Sequence, residues 1–284
     1  MKNLLFRTVK NGLSLPEDLV VIDAHAHVDP PCVFGTVCAH EQGLLEPIRR
    51  FNVKAVYVTP IDSILTDTIG GNTRAMELVA RYGGRVRGYM VVNPNHSRKV
   101  SEQELNRCLL EGNLEAIKLH SFFHDHPMDG PGYEPALEFA DEFHLCVLSH
   151  TWDSPDTLCK LAEKYPNAFF YVAHFTGNLM HRPETRKYID ITNAHPNIYL
   201  DTTSSAAPLG AVEYTVEAVG ADRVIFGTDY NWLSFEFGFG KILYADLDDE
   251  SKRKILGLNF QGIIQRSLLG PKDFSQSESS KRAD

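Results

Sequence analysis

Residues 20–30 read VVIDAHAHVDP. Val20, Val21 and Ile22 are β-branched, and the run stops at Asp29-Pro30-Pro31, so it reads as a strand ending in a turn. Side chains alternate faces along a strand, which predicts Asp23, His25 and His27 on one face and Ala24 and Ala26 on the other. Two imidazoles on one face, one residue apart, lie within reach of a single ion. Taken alone, the same pair could be two polar core residues satisfied by backbone groups. The rest of the chain has to decide.

Working outward, seven more strand-like segments follow: KAVYVTP at 54–60, RGYMVVNP at 87–94, EAIKLHS at 115–121, LCVLSHT at 145–151, AFFYVAHF at 168–175, NIYLDTT at 197–203 and RVIFGTDY at 223–230. Their apolar runs are continuous rather than alternating, as in a parallel sheet buried on both faces. Between them, NTRAMELVARYG and YEPALEFADEFH carry apolar residues at helical spacing. SEQELNRCLL offers a capping box from Ser101 to Glu104, and SPDTLCKLAEKYP opens with Ser154 and Pro155 and stops at Pro166. DDESKRKILGLNFQGII closes the series. This βα beat, repeated eight times, predicts an α/β chain folded as a single (β/α)8 TIM barrel over residues 20–270. Residues 1–19 read as an N-terminal extension and 271–284 as a polar tail. A doubly wound open sheet is the competing arrangement, but no Gly-rich phosphate fingerprint follows the first strand.

The 284 residues, 43% of them hydrophobic, suffice for one large core, and no stretch has the uninterrupted apolar length of a membrane helix. The first twenty residues show no secretory signal. A net charge of −9 spread without blocks argues against a nucleic-acid partner. The five cysteines are scattered and odd in number, which fits reduced thiols and a cytoplasmic location. Cys32, Cys38 and His40 share one loop, but the second half of a zinc ribbon is missing.

Active sites of such barrels lie at the C-terminal ends of the strands. There the sequence places Lys118 and His120 on the fourth strand, His150 on the fifth, His174 on the sixth and Asp229 on the eighth. A random scatter of twelve histidines would not put five at such positions, so His25 and His27 read as ligands. Imidazoles and a carboxylate with one position left for water describe a catalytic divalent-metal site. Such an ion brings the pKa of bound water down to about 7 and yields hydroxide at neutral pH.

The segments VIDAHAH, AIKLHS, VLSHT, YVAHFTGN, NIYLDTT, RVIFGTDYNW and KILGLNF together resemble the amidohydrolase superfamily, within it the amidohydrolase-related branch that includes aminocarboxymuconate-semialdehyde decarboxylase. The resemblance implies that His25, His27, His150 and Asp229 bind one metal ion and that His174 is the general acid/base, with Asp229 sharing in proton transfer. Zinc is the default, and manganese, iron or cobalt also fit. In some branches a carboxylated fourth-strand lysine bridges two metals. Lys118 would take that place, and His150 and His174 would then bind the second ion. The sequence departs from the pattern after the fourth strand, where His120 is followed by Ser121, Phe122 and the cluster His124-Asp125-His126, and in the fifth-strand SHTWDS.

Lys118, His120, Trp152 and Trp232 are candidate substrate contacts. Phe235, Phe237 and Phe239 alternate after the eighth strand, as an aromatic lid or as rim packing. Arg74 and Arg182 could clamp a substrate carboxylate but read first as solvated helix-surface residues, and His124 and His126 read as surface loop histidines with substrate contact as the alternative. His40, His96, His144, His181 and His195 receive no role. The resulting expectation is a metal-dependent hydrolase directing a metal-activated hydroxide at an amide, ester or lactone. The alternatives are non-oxidative decarboxylation of a small unsaturated or aromatic acid and a non-catalytic binding barrel. The partner is a small molecule, with homodimer formation compatible with the sequence.

Overall fold

A computed structural model describes residues 3–29, 40–150, 152–176, 182–204 and 207–268. Cys32, Cys38, His181 and the predicted tail at 271–284 lie outside the described residues. Eight parallel strands follow one another in order: β1 (Ile22–Val28), β2 (Ala55–Pro60), β3 (Val86–Val91), β4 (Ala116–Leu119), β5 (Cys146–Ser149), β6 (Phe169–Val172), β7 (Ile198–Asp201) and β8 (Val224–Ile225). The ring is joined where Ala24 N–H donates to Phe226 O (3.0 Å) and Asp229 N–H donates to His25 O (2.8 Å). The chain is a single (β/α)8 barrel.

Its hydrophobic interior has two layers. Inside the barrel, Ile22, Ala24, Tyr57, Tyr89, Leu148 and Tyr171 pack together. Phe260, Ile263 and Ile264 from the helix Asn259–Arg266 join them as a floor, with Tyr57 edge-on to Phe260 at 4.8 Å. Between barrel and helices lies the larger layer, including Val56, Val58, Ile117, Leu119, Val147 and Trp152. Leu5 and Leu19, from the predicted extension, are buried in that same layer.

One detail of β1 departs from strict alternation. Asp23 pairs with Val56 and Ala26 with Val58, so Ala24 and His25 both stand opposite Tyr57. This bulge resets the period. Asp23 therefore falls with Val56, away from the histidine face, and its carboxylate accepts from Thr228 Oγ1 (2.5 Å) and N (3.1 Å). The expected grouping of Asp23 with His25 and His27 is corrected by one inserted residue.

Two helix starts show how capping chemistry competes. Ser154 caps Pro155–Lys164 as expected, accepting from Thr157 N at 3.0 Å. The preceding prediction shifts by a turn: the helix is Arg98–Leu110 and its cap is Ser97. Ser101 and Glu104 are buried within it, where Glu104 accepts from Asn72 Nδ2 (2.9 Å) and Arg107 (2.7 Å). Buried amide and guanidinium partners have claimed the carboxylate that the capping box would have used. Among the described residues no helix is long and apolar enough to cross a membrane.

Candidate active site

The C-terminal ends of the strands gather His25, His27, Lys118, His120, His150, His174 and Asp229 around one mouth. His25 and His27 are almost wholly buried on β1, and each presents Nε2 to the Asp229 Oδ1, at 3.1 and 3.3 Å. Their other nitrogens are engaged. His25 Nδ1 meets Asp201 Oδ2 at 2.7 Å, and His27 Nδ1 lies 3.2 Å from Thr59 O. Donation through Nδ1 leaves the Nε2 lone pair directed at the centre, which is how protein imidazoles are oriented for a metal.

The donor set fits a divalent transition metal. Ligand atoms of His25, His27 and Asp229 all lie within 4.8 Å of one another. Burial, then the Lys118 charge, pushes His25 well below the ordinary imidazole range; burial lowers His27 as well, against the pull of Asp229. Both rings are thereby neutral near pH 7, the state that binds a cation. Burial works against ionised Asp229, but His25, His174 and His27 outweigh it and hold the carboxyl well below its usual range. Asp229 and His174 both adopt φ of 60°, a left-handed backbone that non-glycine residues enter at some cost.

A second group of rings faces this cluster. His120 stacks on His150 (centroids 4.6 Å, 13°) and on Phe123 (4.3 Å). His174 Nε2 meets His150 Nδ1 at 3.1 Å, and its Nδ1 lies 3.7 Å from Asp229 Oδ2. Burial and the neighbouring His174 lower His150 to about 3, and burial pushes His120 lower still. Lys118, 1% exposed, points its Nζ to within 3.1 Å of His25 Nε2, and burial brings it down to about 8.

Of the four expected ligands, the three on β1 and after β8 converge, while the His150 ring is turned to His174. Trp232 lies flat on His27 at 3.9 Å and lines the cavity. Trp152 does not. It is fully buried, edge-on to Phe170, and donates Nε1–H to Tyr171 O at 3.3 Å. The chain turns outward beyond Ser149, so an indole two residues after His150 fills the barrel–helix layer instead.

Other expectations are corrected as well. His124 is buried, accepts from Tyr133 Oη (2.7 Å) and donates to Ile64 O (3.1 Å), so it holds the pocket wall instead of a surface loop. His126 is exposed. The phenylalanine run forms the helix Phe235–Tyr244: Phe235 and Phe239 pack on Phe51 and Phe226, and Phe237 points to solvent. It is rim packing and no lid. Arg74 pairs with Glu41 at 2.9 Å. The Arg182 side chain lies outside the described residues.

The cavity above the cluster measures about 220 Å³. His27, Lys118, His120, His150, His174 and Asp229 form its polar part; Ile61, Ile64, Leu65, Phe122, Phe123, Trp232 and Leu233 form the rest. Apart from Trp232, sequence reasoning passed over this apolar wall, most of which comes from the short helices Ile61–Leu65 and Ser121–His124 with no chemical signature. It also missed Asp201, although NIYLDTT places an acid at the end of β7, level with the functional residues of the other strands.

Comparison with known proteins agrees with the fold. Residues 22–259 match the family model described as amidohydrolase. The fold resembles that of 5-carboxyvanillate decarboxylase from Sphingomonas paucimobilis, at 14% identity and TM-score 0.67, covering 87% of this chain and 99% of that one. It also resembles a probable 2-pyrone-4,6-dicarboxylic acid hydrolase from Acinetobacter baumannii (15% identity, TM-score 0.66, 86% and 98% covered). A third relative is a dihydroxybenzoic acid decarboxylase from a Polaromonas species, solved with bound manganese and 2-nitroresorcinol (14% identity, TM-score 0.64, 87% and 97% covered).

Proposed function

The chain belongs to the amidohydrolase family, and on that premise we propose that it hydrolyses an amide, ester or lactone of a small, uncharged, largely apolar molecule with one divalent metal ion. The observation that carries this reading is the contrast within the cavity. Beside the donors His27 and Asp229 and the ring of His174, seven apolar residues line it. Among the described lining residues Lys118 is the only cation besides the imidazoles, and no guanidinium is there to clamp a substrate carboxylate.

His25, His27 and Asp229 would hold the ion, zinc by default, with manganese, iron or cobalt suited to the same donors. His150 keeps a proposed place as fourth donor through Nε2, its Nδ1 being engaged with His174. When bound, the ion supplies polarisation of a carbonyl and acidification of water. His174 handles the proton at Nδ1, which lies 3.7 Å from Asp229 Oδ2, while its Nε2 accepts from the Nδ1–H that a metal-holding His150 would carry. Lys118 donates to negative charge developing on the carbonyl oxygen, and a buried ammonium is effective there because water does not screen it. Trp232 fixes the His27 ring and, with Ile61 and Ile64, excludes bulk water.

Lys118 also supports a second reading. The same ammonium can receive a carboxylate, and His174 would then deliver a proton to the carbon losing it, as a decarboxylase requires. Assays of metal-loaded protein on neutral aryl esters, lactones and N-acyl compounds, run beside aromatic carboxylic acids, separate the two. Acid release from neutral substrates is expected. Release of carbon dioxide from the carboxylic acids with no hydrolysis overturns the hydrolase reading.

A further inference from the structure

A second group of metal donors lies outside the barrel. Cys159 and Glu163 are one turn apart on the helix Pro155–Lys164, and His195 directly follows the helix Arg182–Ala194. The Cys159 Sγ is 3.2 Å from His195 Nε2 and 3.8 Å from Glu163 Oε1. The three donor atoms all lie within 4.8 Å of one another, as do those of His25, His27 and Asp229. We propose that Cys159, Glu163 and His195 form a second, independent site for a zinc-class ion that clamps together the helices following β5 and β6.

The chemistry selects the ion. A thiolate and an imidazole favour zinc, cobalt or nickel, whereas calcium and magnesium require a shell of oxygens that one carboxylate cannot supply. Three protein donors leave a position for water, and Glu163 is exposed while Cys159 and His195 are half-buried, so the ion can exchange with solvent. On binding, the Sγ–H bond is exchanged for an Sγ–metal bond and the proton leaves to water.

The scaffold around the donors is already tied. His195 N–H donates to Ile191 O (2.9 Å), and its carbonyl accepts from Arg223 (2.6 Å) and Ile198 N (3.3 Å). Two residues on, the Asn197 amide donates to Ala162 O (3.2 Å), Tyr165 O (3.3 Å) and Ala168 O (3.1 Å). The turn carrying His195 is thereby stitched to the end of the helix carrying Cys159. Little ordering remains to be done when an ion arrives.

Cobalt(II) tests this, because only a thiolate donor produces an intense near-ultraviolet charge-transfer band. The histidine–aspartate centre at the barrel mouth has no sulfur and cannot. Full-length protein stripped by chelator and titrated with cobalt should develop the band. His25→Ala should retain it; Cys159→Ser should lose it while keeping the weaker visible absorption of the mouth centre. Glu163→Gln should weaken the band-forming site by at least about tenfold, the lower end of what altering a metal's surroundings costs. Absence of the band in the parent chain, or its survival in Cys159→Ser, overturns the proposal.

Discussion

The two halves of the barrel mouth hold their histidines in different ways. On the β1–β8 side every imidazole is pinned at Nδ1, His25 by Asp201 and His27 by the Thr59 carbonyl, and both Nε2 atoms converge on Asp229. On the β4–β6 side, His120, His150 and His174 are joined by ring stacking and one N···N contact of 3.1 Å. A ring fixed in one tautomer is suited to holding an ion. A ring held by another ring, as His174 is by His150, can take up and release a proton at its remaining nitrogen. The proposed division between metal binding and acid–base work rests on that difference.

Breaking the pinned half should have the largest effect. His25→Ala removes a donor from the three-atom cluster, so metal and activity should vanish together in elemental analysis and turnover assays. His174→Asn should lower turnover by about 10²–10⁴-fold, the usual contribution of a positioned acid/base, with metal content at the wild-type level. Loss of the ion in that variant would erase the boundary between the halves. His150→Ala sharpens where the boundary runs: metal affinity should fall while occupancy persists in excess metal, whereas complete loss moves His150 into the pinned group.

Smaller effects probe the support of each ring. Asp201→Asn leaves the shape intact but takes a charge-assisted partner from His25, and metal affinity measured by competition with a chelator should drop about 10–100-fold. Trp232→Ala removes a ring stacked at 3.9 Å on His27 and part of the apolar wall. Losing about 1 kcal/mol of ring contact corresponds to a change in KM of roughly fivefold for an apolar substrate. A Trp152→Ala change should instead lower thermal stability by about 3–5 kcal/mol, since that ring is core.

Much of this was legible in the sequence, and the reasons are physical. A parallel barrel buries both faces of each strand, so its β-branched runs stand out, and the candidate site residues fall just where an apolar run ends. His25, His27, His174 and Asp229 could be located in that way. Alternation misled at Asp23, because a bulge inserts a residue without any composition cue. It misled again at Trp152, where the direction taken after β5 depends on how the following loop turns. His124 reads as a loop residue by its neighbours, yet two buried hydrogen bonds make it a strut for the pocket wall. Long-range partners such as Asp201 to His25, 176 positions apart, leave no local signature at all.

The most direct test of the account is metal stoichiometry in a Cys159→Ser background, where the outer cluster is disabled and only the barrel mouth remains. Elemental analysis after mild purification should give about one divalent transition-metal ion per chain, falling to about zero when His25→Ala is added. A ratio near two with added carboxyl mass on Lys118 would replace the single ion by a bridged pair. A ratio unchanged by His25→Ala would contradict the assignment of the pinned half as the metal centre.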